Sequence, residues 1–500
     1  MKYLKKYILI AAVIVTVPLW QSCSDFLEEK SQSEVIPTTT DDFSEFLIGN
    51  GYPDRYAPDY SFVSLLDDDM DVDLNATVEV WDQTIGEWGA YVTKNSFLSS
   101  SSSMTYAAFY QWQPTMSDYD GYGEANSIVE TSYKSFYQKI TGCNAVLDGI
   151  DEARGTDESR ARVKAEALAL RALYYFQLVN IFGDPYNYNP EALGVPLKLD
   201  AAISDAGIPR STVRQAYEEV IVPDLEEACR LTDNIKINFK DYHINQPAMH
   251  ILLSRVYLFM EKYDKCIEHA TKAFSQGAVL SDIQQLIDNK KLSNADPFSY
   301  VSNNEILFLY GPGAVSSGFY PYDPGRYVPA LRNLYDSEND LRVTLYNFPV
   351  NSYDYITIPH GGQLSQMIRT AEAYLNRAEA KALSGDVSGA LRDLNDLRRT
   401  RIKNYQNASY SGDELLSQIR DERRKEFCYQ GFRWFDLRRY GMPELRHEFL
   451  QAEGQPIVYY ILRKNDPLYT VPLPTSLSQQ NRELQQSSNR SEPNREPVNN

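Results

Sequence analysis

The stretch Arg162–Pro185, RVKAEALALRALYYFQLVNIFGDP, decides the fold. Val163, Ala167, Leu170, Tyr174, Leu178 and Ile181 recur every three or four residues, which puts them on one face of a helix. Ala165, Ala169 and Ala172 lie on other faces, so neighbouring backbones can approach from more than one side. A helix that is small or apolar nearly all round is a buried helix. Thr156 or Asp157 caps its start. Gly183 in the left-handed C′ conformation, followed by Pro185, ends it.

Helical spacing continues on both sides. Tyr133–Ile150 carries Phe136, Ile140, Ala145 and Leu147 on a helix. Thr212 and Gln215 have the spacing of a capping box, and Pro223 kinks or shortens the helix they open. Ala248–Ala273 and Ile368–Arg401 place small residues and tyrosines as tetratricopeptide-type helix–turn–helix units do, burying their faces by stacking. Gly385-Asp386 makes the turn of the second unit, and Glu305–Gly313 begins as a short strand. The expected fold is therefore mostly α: a tetratricopeptide-like helical scaffold with loop-rich insertions and a few short strands.

The chain has 500 residues, 43% of them apolar, and a formal net charge of −19. So acidic a chain, with no basic stripe, is a poor nucleic-acid binder. Lys2, Lys5 and Lys6 precede an apolar run, Ile8–Leu19, that is too short to span a bilayer. This reads as a signal peptide over residues 1–22, with Cys23 immediately after it as a lipidation site. Residues 23–50 then form the lipidated N-terminus and a polar tether, and residues 51–486 the folded body. Residues 487–500, rich in Asn, Ser and Glu, are expected to be a disordered tail.

Two segments of the body lack a sustained period. Residues 51–130 hold Trp81, Trp88 and Trp112 among turn residues, and residues 277–365 hold Tyr320, Tyr322 and Tyr327 among Gly and Pro. Indole and phenol rings stack on the C–H faces of sugars, so these six are the candidate ligand-binding residues. Each ring would serve a core just as well, and the 37 tyrosines supply enough for both uses. The acidic cluster Asp67, Asp68, Asp69, Asp71 and Asp73 reads as a solvated loop. Leu74 and Val80 stand where a calcium loop needs Gly and Glu. His243, His250 and His269 have no metal-binding spacing and are assigned to helix packing. Cys143, Cys229, Cys266 and Cys428 read as buried thiols. No nucleophile elbow, zinc-protease, P-loop or dinucleotide motif occurs, so neither a cofactor nor a metal is expected.

Four motifs in order carry a resemblance. They are "CSDFLEE" from Cys23, "RALYYFQLVNIFGDPY" with "GVPL", "ERRKEF…RWFDLRR" within Ile419–Gly441, and the proline-paired "VPLPTSLSQQNRELQQ". Together they resemble the SusD/RagB family from Cys23 to about Gln486, with a C-terminal family part from about residue 277. The resemblance implies a surface-exposed, lipid-anchored outer-membrane protein that binds extracellular glycan. It would deliver that glycan to a SusC-like TonB-dependent transporter. Capture of peptide, as on the RagB side of the family, is an alternative. A surface glycan hydrolase is a third reading, but no carboxylate pair stands out to support it. Within the resemblance, Arg423, Arg433 and Arg438 are structural, pairing with Glu422, Glu426 and Asp436.

Overall fold

The computed structural model describes residues 37–54, 58–72, 77–82, 87–92, 101–118, 127–203, 206–235, 243–289, 303–310, 325–345, 366–428, 430–450 and 455–499. The signal-peptide segment and Cys23 lie outside the described residues. No described helix is long and apolar enough to cross a membrane.

Helix α1 (Thr40–Asn50) is followed by three short strands, β1 (Met70–Val72), β2 (Thr77–Asp82) and β3 (Glu87–Val92), and by α2 (Ser101–Tyr110). Then come α3 (Ile128–Gly149) and α4 (Asp157–Phe182), the helix expected from Arg162–Pro185. After β4 (Leu193–Pro196) and β5 (Arg210–Thr212) lie α5 (Val222–Thr232), α6 (Gln246–Phe259) and α7 (Tyr263–Ser275). Next are β6 (Ile306–Tyr310), β7 (Gly325–Tyr327) and β8 (Gln366–Arg369). The C-terminal part holds α8 (Thr370–Leu383), α9 (Val387–Arg399), α10 (Gly412–Glu426) and α11 (Arg433–Arg439). It closes with the hairpin β9 (Leu445–Leu450) and β10 (Ile457–Leu462), and α12 (Thr475–Gln480). The strands form five two-stranded antiparallel pairs. The fold is mostly helical, as expected.

Helix α4 is buried along nearly its whole length, with Leu170 fully enclosed. Thr156 caps it, its side chain accepting from the Ser159 N–H. Its tyrosines bury rings and still satisfy their hydroxyls: Tyr174 donates to the Gly51 carbonyl at 2.6 Å and Tyr175 to the Lys198 carbonyl at 2.7 Å. Arg171 ties α4 to α5 through both oxygens of Asp224 at 2.7 and 2.8 Å. The helix ends differently from the expectation. Gly183 is extended, at φ −115°, rather than left-handed. The last carbonyls are taken by guanidinium groups instead: Arg438 donates to Asn180 and Gly183, and Arg210 to Phe182 at 2.6 Å. Glycine is needed there for room, since a Cβ would lie 2.8 Å from Val213 Cγ2 and 2.9 Å from the Val179 carbonyl. The capping box at Thr212 and Gln215 is present. Pro223 sits in the first turn of α5, and the disturbance expected from it appears just before, as a π-helical turn at Ala216–Ile221.

Helices α6/α7 and α8/α9 are two helix–turn–helix pairs, turning at Glu261 with φ 58° and at Gly385 with φ 87°. Arg255 of the first pair grips Glu372 of the second at 2.5 and 2.7 Å, and Ser254 accepts from Asn376 at 2.9 Å. The four described cysteines, Cys143, Cys229, Cys266 and Cys428, are free and buried.

The tail is a correction. Residues 487–499 lie against the body rather than hanging free. The Asn489 amide donates to the Pro467 carbonyl at 3.2 Å, Arg495 donates to the Trp112 and Ile461 carbonyls at 3.0 and 3.2 Å, and Val498 bridges to Tyr459. A polar composition predicts disorder only where the chain finds no unsatisfied carbonyls to cover.

Candidate functional site

The two irregular segments meet. Strand β1 pairs with β7 in the register Met70↔Tyr327, Asp71↔Arg326 and Val72↔Gly325, so a residue of each segment stands opposite the other although they are far apart in sequence. A backbone bond from Val328 N–H to the Asp69 carbonyl, 3.3 Å, extends the junction. Close by in sequence, β2 and β3 form a hairpin in which Trp81 and Trp88 occupy directly opposed register positions. Of the expected site residues, Tyr327 therefore lies on the junction strand and Trp81 and Trp88 on the hairpin. Tyr320 and Tyr322 lie outside the described residues.

Trp112 does not belong to this group. It has no exposed surface, its Nε1–H donates to the Leu66 carbonyl at 3.0 Å, and its ring stacks on His447 at 4.0 Å. His447 also stacks on Tyr110 at 4.1 Å, and its two nitrogens face the Tyr110 and Asp67 carbonyls at 2.8 and 2.9 Å. Both of these neighbours are acceptors. Trp112 is thus a core residue at the base of the irregular segment.

Three of the five acids, Asp67, Asp68 and Asp69, are not in a solvated loop, while Asp73 lies outside the described residues. Asp67 and Asp69 are buried, and Arg424 holds Asp69 at 2.6 Å while Arg433 holds Asp68 at 2.6 and 2.8 Å. Burial, then the neighbouring Asp69 and Asp68, push the Asp67 carboxyl well up. Burial acts on Asp68 too, but Arg433 and Arg424 outweigh it and bring that carboxyl below its ordinary value. The root of β1 is therefore bolted by charge to α10 and to the start of α11. Of the pairings expected for the three arginines, Arg423–Asp436 is present at 2.8 Å. Arg433 pairs with Asp68 instead, and Arg438 caps α4.

The C-terminal part of the scaffold holds a buried ionic cluster. Glu426 meets Arg342 at 2.7 Å, Arg369 at 2.5 Å and Arg401 at 2.9 Å, and Glu305 meets Arg369 and Arg401 at 3.0 and 2.7 Å. Glu422 adds Arg342 and Arg398 at 2.6 Å each. These carboxylates are clamped by guanidinium groups and serve the scaffold.

A second surface was missed on sequence. An open groove of about 540 Å³ runs between α3 and the end of α12, lined by Tyr133, Tyr137, Gln138, Gln480 and Asn481. The Tyr133 and Tyr137 rings lie 4.8 Å apart. Their i, i+4 spacing on α3 is visible in the sequence, but nothing there announces the amide-bearing wall supplied by the far C-terminus.

A family profile described as "Starch-binding associating with outer membrane" matches residues 59–258, and one described as "SusD family" matches residues 335–494. A SusD-like protein of Formosa agariphila is 23% identical over 427 residues, covering 70% of this chain and 80% of that one. A crystal structure from Bacteroides vulgatus, described as a sugar-binding protein, superposes with a TM-score of 0.66 at 23% identity, covering 91% of this chain and 99% of that one. A SusD superfamily structure from Bacteroides thetaiotaomicron also has a TM-score of 0.66, at 22% identity, covering 90% and 99%. The two profile matches fall in chain order on the segments holding α4 and the Arg433–Arg439 helix, and the fold of these relatives runs through nearly the whole chain. The protein belongs to the SusD/RagB family.

Proposed function

We propose that this protein is an outer-membrane lipoprotein, anchored through Cys23, that captures extracellular oligosaccharide and delivers it to a SusC-like TonB-dependent transporter. The binding face is the edge where β1 pairs with β7, together with the β2–β3 hairpin that follows β1 in sequence. Trp81, Trp88 and Tyr327, with Tyr320 and Tyr322 shortly before β7 in sequence, supply the stacking rings. The observation that carries this reading is the Met70↔Tyr327 pairing, which joins the two aromatic-rich segments through one antiparallel strand pair. The family profile described as starch-binding and outer-membrane associated supports the ligand class and the location. Residues 1–22 act as the export signal and residues 23–50 as the tether.

Two experiments test it. Electrophoresis through native gels containing a panel of polysaccharides should show retardation by at least one of them; free migration through all, with binding of peptides instead, would replace glycan by peptide as the ligand. Cys23→Ala should leave the protein unlipidated and absent from the outer-membrane fraction. Detergent-phase partition equal to that of the wild type would remove the anchor from the account.

A further inference from the structure

Three consecutive helices of the scaffold each bring one metal-ligating side chain to a single buried point. Cys229 comes from α5, His250 from α6 and His269 from α7, and their ligand atoms all lie within 4.8 Å of one another. The three side chains are 4%, 2% and 5% exposed. The His250 and His269 Nδ1 atoms face each other at 3.0 Å. In a tetrahedral zinc site, Zn–N near 2.0–2.1 Å and Zn–S near 2.3 Å give ligand-to-ligand edges of about 3.3–3.6 Å. The imidazole pair is therefore within a few tenths of an ångström of one such edge, and the Cys229 sulfur lies within 4.8 Å of both rings' ligand atoms, so that side chain closes in to complete the face.

The surroundings hold the three donors in place. Gln246, at the start of α6, donates to Asp233 at 3.1 Å and to the Cys229 carbonyl at 3.5 Å, which pins the end of α5 beside His250. The Tyr257 ring lies 5.6 Å from that of His269.

We propose that Cys229, His250 and His269 form a structural zinc(II) site that clamps α5 to the α6/α7 pair. Without metal, one Nδ1–H is shared between the two imidazoles. On binding, that proton moves to Nε2 of the same ring, both Nδ1 lone pairs coordinate, and the Cys229 thiol releases its proton to solvent. One proton leaves per ion bound, and a water molecule takes the fourth position. The chain spacing of the three ligands matches no short zinc motif. This explains why the sequence gives no signal: the ligands are assembled by helix packing.

Cobalt(II) is the probe. The full chain, unfolded with chelator and refolded with excess cobalt, should retain about one equivalent per chain after gel filtration. Its spectrum should show visible d–d bands of tetrahedral intensity and a thiolate-to-cobalt charge-transfer band in the near ultraviolet. Zinc should displace the cobalt and raise the melting temperature. Cys229→Ser, close to isosteric, should abolish the charge-transfer band, and His269→Gln should reduce retention at least tenfold with helical circular dichroism unchanged. Absence of stoichiometric cobalt, a featureless octahedral spectrum, or a charge-transfer band that survives in Cys229→Ser would each overturn the site. Should the variants fail to fold, the wild-type spectrum and stoichiometry decide it alone.

Discussion

Glu426→Gln should destabilise the protein by about 3–5 kcal/mol, the cost of removing one partner from a buried ion cluster. Glu426 is buried and touches three buried guanidinium groups, those of Arg342, Arg369 and Arg401. An amide of the same shape leaves those charges short of a counter-ion where water cannot reach them. Burial alone would raise the Glu426 carboxyl, but Arg401, Arg369 and Arg342 outweigh burial and hold it well below its ordinary value. A carboxylate depressed on folding contributes stability that is fully present above its unfolded value, about 4.3. That contribution is lost as pH falls towards the folded value. The wild type should therefore lose stability below about pH 4, and Glu426→Gln should show a flatter acid limb. Denaturant melts of both proteins at several pH values measure this. A midpoint in the variant equal to that of the wild type at neutral pH would show that the cluster does not carry the scaffold.

Leu170→Asp should be comparably severe, at several kcal/mol. Leu170 is fully buried midway along α4, and the helix packs against neighbours on most sides. A carboxylate there has no designed partner. It would either stay neutral or force the helix away from its neighbours. Circular dichroism melting checks this, and an unchanged transition would mean that α4 is not the buried axis of the fold.

Much of the helical scaffold was legible because a 3.6-residue period is a local property. Helix α4, its Thr156 cap, the Thr212 capping box and the two helix–turn–helix pairs all follow from residues within a turn or two of each other. What went unread depends on partners far along the chain. Gly183 looked like a left-handed cap because Arg438, which takes its carbonyl, lies 255 residues away. The acidic run looked solvated because Arg424 and Arg433 lie 355 and 365 residues from their partners Asp69 and Asp68. Trp112 had the same kind of surroundings in sequence as Trp81 and Trp88. Only the Leu66 carbonyl and the His447 ring reveal it as core. The tail read as disordered on composition, which says nothing of the carbonyls that Asn489 and Arg495 meet. The pairing of β1 with β7, which joins the two irregular segments, was not foreseen from either segment alone.

The central claim is that stacking rings at the β1–β7 edge bind the glycan while buried rings such as Trp112 only support the fold. Calorimetric titration of an oligosaccharide that binds the wild type, repeated with Trp81→Ala, Trp88→Ala and Tyr327→Ala, tests it most directly. Each loss of a stacking indole should weaken binding by about 1–3 kcal/mol, by analogy with aromatic anchors at other interfaces, with melting unchanged. Wild-type affinity should change little with salt, since stacking involves no charge pair. Folded variants that all bind as tightly as the wild type would contradict the account and move the ligand away from this edge.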